Sequence, residues 1–154
     1  MAGRLGWSAC GLAVLQRGFR SPAAAVEAHR RPVPPYAAGP QAADAGATAM
    51  CDVSDGLLAD AGHLAADSGV RVDLDVAAVR TAFLDTPGPL RQVAAALGGD
   101  PLTWVLTGGE DHALVATVPA GVDLPAGWTI IGAVHEATAE GPGCLLYTSD
   151  AADE

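Results

Sequence analysis

The sequence predicts an α/β (α+β) domain, a mixed sheet of about four strands with flanking helices. Three observations predict it. The chain has 154 residues, enough for one substantial core and too few for two. Segments of alternating apolar and polar residues are interspersed with segments whose apolar residues recur at helical spacing. Half of the residues are hydrophobic and only 5% are aromatic, so alanine and the branched aliphatics must fill that core. A charged fraction of 17% with mean hydropathy +0.27 excludes a disordered chain, and there are no internal repeats.

The elements follow in order. Trp7–Arg17 reads as a helix with Ala9, Leu12 and Leu15 on one face. Ser21-Pro22 opens a second helix to about His29, because proline fits the first helical turn. Pro32, Pro34 and Pro35 force an extended linker. Residues 38–46 form a short helix ending at Gly46, and the apolar run Thr48–Val53 leads into a helix over Asp55–Ala66, closed by Ser68-Gly69. In Val70–Val76, Val72, Leu74 and Val76 alternate with Arg71, Asp73 and Asp75, as a half-buried strand requires. Pro89–Leu97 is a helix stopped by Gly98-Gly99, Pro101 starts another, and Ala113–Val118 and Trp128–Val134 are strands. Trp7, Trp104 and Trp128 are expected to anchor the core.

Both ends break the pattern. Met1–Gly6 runs almost at once into a helix, as if a longer protein were entered at an internal start. The tail CLLYTSDAADE, residues 144–154, equals a translation of the end of a common transposon-based sequencing adapter. It is read as an artefact and set aside, which leaves 1–143 as the domain. Arg4 before Leu5–Leu15 imitates a short signal peptide, but Gly6, Ser8 and Gly11 dilute it. No uncharged apolar run approaches the roughly 18–20 residues that span a bilayer, so no membrane partner is expected.

Charge is divided unevenly. Residues 1–51 carry five arginines and two acids, while residues 52–154 carry three arginines and sixteen acids. A net charge of −10 excludes a nucleic-acid-binding surface, which needs clustered cations. The acidic half suits either a divalent cation or a plain solvated surface. Cys10, Cys51 and Cys144 are isolated, which gives neither a zinc site nor a disulfide framework and fits a reducing cytoplasm.

Two segments can carry chemistry. In Cys51-Asp52-Val53-Ser54-Asp55-Gly56 a strand hands over to a helix. Helix capping by Ser54 or Asp55 is one reading, and an acid there gains about 0.3–1 kcal/mol from the helix dipole. Two carboxylates about 4–6 Å apart repel by roughly 3–4 kcal/mol at an effective dielectric near 20. A Mg²⁺ bridging Asp52 and Asp55 reverses that sign, with Ser54 and nearby amides free to hold a phosphate oxygen. The second segment is Thr107-Gly108-Gly109-Glu110-Asp111. It is either an ordinary glycine turn with solvated acids or a loop that lets a ligand approach the backbone. His112 borders it and can touch a ligand; His63 is expected to be structural, and His29 and His135 to lie on the surface. Walker A, GxSxG and HExxH motifs are absent.

Taken together, DVSDGLLADAGHL over 52–64, Ser68-Gly69-Val70, LTGGED over 106–111, the strand Ala113–Val118 with Pro119, and IIGAV over 130–134 resemble the C-terminal half of the thiamine-monophosphate kinase family. GRLGWSACGLAVL over 3–15 resembles the first helix of that half. The resemblance runs from residue 3 to about residue 140, and His112 and Ala113 stand where the family has Tyr and Glu. It implies the C-terminal domain of the aminoimidazole-ribotide synthase-like fold and ATP-dependent phosphorylation of thiamine monophosphate to thiamine diphosphate in the cytoplasm. Asp52 and Asp55 would be Mg²⁺ ligands, Ser54 an ATP contact, and Glu110 or Asp111 a substrate contact. The family's N-terminal half, through which it dimerises, and its distal aromatic substrate contact lie outside the matched residues, so the chain alone is expected to be inactive. Two alternatives remain open: another superfamily ATP-dependent domain, of hydrogenase-maturation or selenophosphate-synthase type, and a non-catalytic α/β domain whose acids cap helices.

Overall fold

The computed structural model describes residues 1–139 and 141–148. Seven helices and five strands occur among them: α1 (Trp7–Gln16), α2 (Ala23–Arg30), α3 (Ala38–Asp44), β1 (Ala49–Val53), α4 (Leu57–Ser68), β2 (Val70–Asp75), α5 (Val76–Phe83), α6 (Leu90–Leu97), α7 (Pro101–Thr107), β3 (Ala113–Thr117), β4 (Gly132–Glu136) and β5 (Gly143–Tyr147). The mixed α/β class stands, but the sheet does not. Five strands divide into an antiparallel pair β1–β3 and a three-stranded sheet in the order β4-β2-β5. In the latter, β2 is antiparallel to β4 and parallel to β5.

Helix α4 joins the two sheets. It packs on β1, β2 and β5 and on α7. Leu57, Asp60, Ala61, Leu64 and Ala65 form its buried stripe, at the i, i+3, i+4, i+7, i+8 spacing of a helix face. Val53, Leu57, Val79 and Val105 are fully enclosed in the common core with Leu5 and Cys10. Helices α1 and α2 pack on each other, and α1 also meets α6 and α7. Ahead of α1, Ala2 exchanges backbone hydrogen bonds with Leu114 at 2.9 and 2.8 Å and so extends the β1–β3 pair.

Four expectations are corrected. The count of about four strands fails because residues 143–147, mostly set aside as tail, pair along β2 from Arg71↔Gly143 to Asp75↔Tyr147; residues 149–154 lie outside the described residues. Val76 does not end a strand but begins α5. Asp75 caps that helix by accepting the Ala77 and Ala78 N–H groups at 2.8 and 3.3 Å. The last predicted strand moves from 128–134 to Gly132–Glu136. His29 is not a surface residue but is half-buried, with Nδ1 3.0 Å from the Ser8 hydroxyl. Trp7 and Trp104 pack against the core as expected, whereas Trp128 lines an apolar cavity of about 350 Å³ between the sheets. No helix among the described residues is long and apolar enough to cross a membrane.

Candidate functional site

The ends of β1 and β3 bring the two motifs together. Antiparallel register pairs Val53 with Ala113 and Asp52 with Leu114, so the segment leaving β1 lies beside the segment entering β3. Two backbone hydrogen bonds prolong the ladder past the strands: Glu110 N–H to the Ser54 carbonyl at 2.8 Å and His112 N–H to the Val53 carbonyl at 3.0 Å. Gly109 lies against this seam so tightly that a Cβ there would sit 2.2 Å from the Ser54 oxygen. On either side of Asp111, Glu110 and His112 have positive φ values of 65° and 52°, a costly conformation outside glycine that clusters at functional sites.

The β1–α4 turn departs from the capping reading. Helix α4 begins at Leu57, not Asp55, and its N-cap is Gly56 at φ 114°, with no side-chain capping bond. A Cβ on Gly56 would meet the Thr107 backbone at 2.9 Å, so only glycine suits this contact between the motifs. Neither Ser54 nor Asp55 therefore caps the helix. The acid that serves the turn is Asp60, buried one turn into α4, whose Oδ2 accepts the Asp55 N–H at 2.9 Å. The Asp55 carboxylate is exposed, and the Ser54 side chain is half-buried.

Asp52, next to the last residue of β1, faces solvent and places Oδ2 2.9 Å from His112 Nδ1. His112 Nε2 lies 3.6 Å from the exposed Glu110 carboxylate. Asp52, His112 and Glu110 thus form a chain that crosses from one motif to the other. The Asp52 hydrogen bond is the main reason the His112 pKa is raised; burial opposes it, and the Asp52 and Glu110 charges add to it. No arginine forms an ion pair with Asp52, Asp55 or Glu110 among the described residues.

Asp111 behaves differently from its neighbours. It is 8% exposed, and its Oδ1 accepts the Ser8 N–H at 2.9 Å. Helix α1 has no side-chain cap of its own, since its N-cap is Gly6, and Asp111 supplies the missing acceptor from the other end of the chain. Oδ2 is buried without a hydrogen-bond partner. Burial pushes the Asp111 pKa from 3.8 to about 6, against the lowering pull of the Ser8 and Gly6 amides, Arg4 and the Trp7 amide. Glu110 is therefore the acid of this loop available to a ligand.

Sequence reasoning named Asp52, Ser54, Asp55, Glu110 and Asp111, of which Asp111 is buried against α1, and left His112 at the margin. Its place one residue before the Val53–Ala113 pair, beside the Asp52 carboxylate, needs the strand pairing to be known. His63 is exposed, 3.8 Å from Asp60, and His135 is exposed, 3.6 Å from Asp73. No group of three or more His, Cys, Asp or Glu able to cage a metal occurs among the described residues. Exposed carboxylates with no arginine partner suit a hard cation that takes one or two protein oxygens and completes its shell with phosphates and water, as Mg²⁺ does.

No protein-family model matches the chain. The thiamine-monophosphate kinase of Mycobacterium tuberculosis is 50% identical over 150 residues, which are 97% of this chain and 42% of that protein. This chain is a homologue of the thiamine-monophosphate kinases. The family member from Salmonella typhimurium is 37% identical over 126 residues, covering 77% of this chain and 36% of its own length. The chain thus spans less than half the length of the curated relatives it matches, and it corresponds to their C-terminal part. Among solved structures, thiamine monophosphate kinase from Aquifex aeolicus superposes with TM-score 0.79 at 31% identity, over 94% of this chain and 48% of that one. A structure of AaThiL complexed with AMPPCP and TMP superposes with TM-score 0.72 at 30% identity, over 94% and 45%.

Proposed function

We propose that this chain is the C-terminal part of a cytoplasmic, ATP-dependent kinase that converts thiamine monophosphate to thiamine diphosphate. The observation that carries the reading is the Asp52–His112–Glu110 chain, which makes one acidic face from two motifs far apart in sequence. Kinship with thiamine-monophosphate kinases supports the activity, and a solved relative complexed with AMPPCP and TMP supports both reactants. The finer fold assignment is the C-terminal domain of the aminoimidazole-ribotide synthase-like fold. The remainder of the relatives' length supplies the other half of the site and the contact through which the full enzyme dimerises. Residues 144–154 remain, in this reading, foreign to the natural sequence.

Asp52 and Asp55 would hold Mg²⁺, whose contribution is to neutralise charge between two anionic reactants. Ser54 would donate its hydroxyl to an ATP phosphate oxygen, and Glu110 would orient the acceptor. His112 keeps Asp52 and Glu110 in fixed relation and offers a proton between them. Asp111, enclosed against α1, holds the loop from which Glu110 and His112 project. Such a site works by positioning and charge stabilisation, since phosphoryl transfer asks little covalent chemistry of the protein.

Joining this chain to the N-terminal part of the Mycobacterium tuberculosis relative tests the reading. The joined enzyme is expected to form thiamine diphosphate from thiamine monophosphate and ATP, and the 154-residue chain alone to form none. Asp52→Ala is expected to lower turnover by about 100-fold or more. An inactive but folded joined enzyme, or full activity with Asp52→Ala, contradicts the proposal.

A further inference from the structure

The apolar cavity between the sheets, away from the acidic chain, is walled by backbone edges. Residues 115–118 line one side and residues 128–134 the other, with Leu64, Val72 and Leu74 beneath. Strand β3 has β1 as its one partner strand, and β4 is the outer strand of its sheet, so each keeps an edge that no strand covers. Met1 and Ala2 already enter the gap. Ala2 bridges Leu114 on one side and Trp128 on the other, antiparallel to both, and Met1 exchanges backbone bonds with Thr129 at 2.9 and 2.8 Å. These two residues form a stub of strand paired on both edges. Continued backward in the same register, the residue ahead of Met1 falls opposite Ala116. Backbone groups of successive strand residues face alternate sides. Those of Leu114 face Ala2, so those of Ala116 face the gap.

Met1 shows what a strand in this gap must carry. Its side chain is 6% exposed and belongs to the common core. Its ammonium is enclosed as well, and burial lowers the pKa to about 6. A peptide N–H in that place would donate the same bond to Thr129 without burying a charge. Side chains two residues apart on a strand share a face, so the residue two ahead of Met1 points at the apolar floor. The longer relatives have residues ahead of this position, because the chain matches their C-terminal part. We infer that the cavity is a strand-accepting slot for an extended segment with apolar residues at alternate positions, and that the segment directly ahead of Met1 in the longer relatives is its occupant. Seated there, the segment links the β1–β3 pair to the β4-β2-β5 sheet. Main-chain hydrogen bonds give such seating its affinity, and the apolar floor gives it a preference for alternating sequences.

Amide hydrogen exchange followed by NMR on two chains tests this. One is the 154-residue chain; the other carries at its front the residues that precede the matching position in the Mycobacterium tuberculosis relative, about eight of them, enough for one strand. The extension is expected to slow exchange of the Ala116 amide by about tenfold or more and to raise the urea midpoint. The Leu114 amide, already bonded to Ala2, is expected to change far less. Ala116→Pro deletes the N–H offered to the slot. Proline is tolerated on an unpaired strand edge, so this substitution is expected to remove most of the gain in midpoint from the extension and to cost the parent chain much less. An Ala116 amide that exchanges equally fast in both chains, or a gain in midpoint that Ala116→Pro leaves intact, overturns the inference. Protection of Ala116 in the unextended chain that grows with protein concentration means that a second copy fills the slot, and overturns it too. Both chains are read without substrate, so the result stands apart from turnover.

Discussion

Replacing Asp111 by asparagine should change how stability depends on pH. In the folded chain the Asp111 carboxyl keeps its proton up to about pH 6, whereas an ordinary aspartate releases it near 3.8. Between those values the unfolded state binds fewer protons than the folded one, so this group's contribution to stability falls as pH rises. The cost is absent below pH 3.8, grows through the interval, and is complete above pH 6. At about 1.4 kcal/mol per pH unit the gap corresponds to about 3 kcal/mol. Asparagine keeps an oxygen for the Ser8 N–H and cannot ionise. Any difference in hydrogen bonding or packing between the amide and the protonated carboxyl is a pH-independent offset on the order of 1 kcal/mol. Urea unfolding of both chains at a series of pH values isolates the effect, because every other titrating group cancels in the difference. The stability of Asp111→Asn minus that of the parent should rise by about 3 kcal/mol from below pH 3.8 to above pH 6. A flat difference across the interval would refute the claim that this carboxylate is ionised at a cost inside the fold.

Other expectations concern the seam between the motifs. Gly109→Ala places a methyl 2.2 Å from the Ser54 carbonyl and should cost about 1–3 kcal/mol, read as a lowered urea midpoint. Asp60→Ala removes the buried acceptor of the Asp55 N–H and should cost about 1.5–3 kcal/mol; unchanged stability would mean that the turn closes without it. In metal-free buffer, Asp52→Asn should lower the His112 pKa, because the Asp52 bond is the largest cause of its elevation. Proton NMR titration of the imidazole gives the sign directly, and an unmoved or raised value contradicts the assigned bond.

Much of this was legible along the chain. Val72 and Leu74 face inward on β2, as their alternation with Arg71 and Asp73 requires. The proline linker and the Gly69 and Gly98 helix ends also follow from local residue chemistry. Contacts set by distant partners were not legible. The bond from Ser8 to Asp111 spans 103 residues, and no local pattern indicates that an acid in a glycine loop serves a helix start elsewhere. Asp60 likewise has the spacing of an ordinary helix residue, yet it turns back to the Asp55 amide. The helix-capping alternative for Ser54 and Asp55 was reasonable by composition, but the close approach of Gly56 to Thr107 moves the helix start past both residues. Val76 shows the opposite failure: it continues the strand alternation, but the Asp75 side chain accepts the next amides and starts a helix instead.

The central claim is that Asp52, Asp55 and the Glu110–His112 loop form one site for a divalent cation and phosphates. Manganese tests it most directly, since Mn²⁺ replaces Mg²⁺ at oxygen sites and broadens the NMR signals of nearby nuclei. With a non-hydrolysable ATP analogue present, trace Mn²⁺ should selectively broaden the signals of Asp52, Asp55, Glu110 and His112, and excess Mg²⁺ should restore them. Broadening centred on other acids, or none at these four residues, would contradict the account.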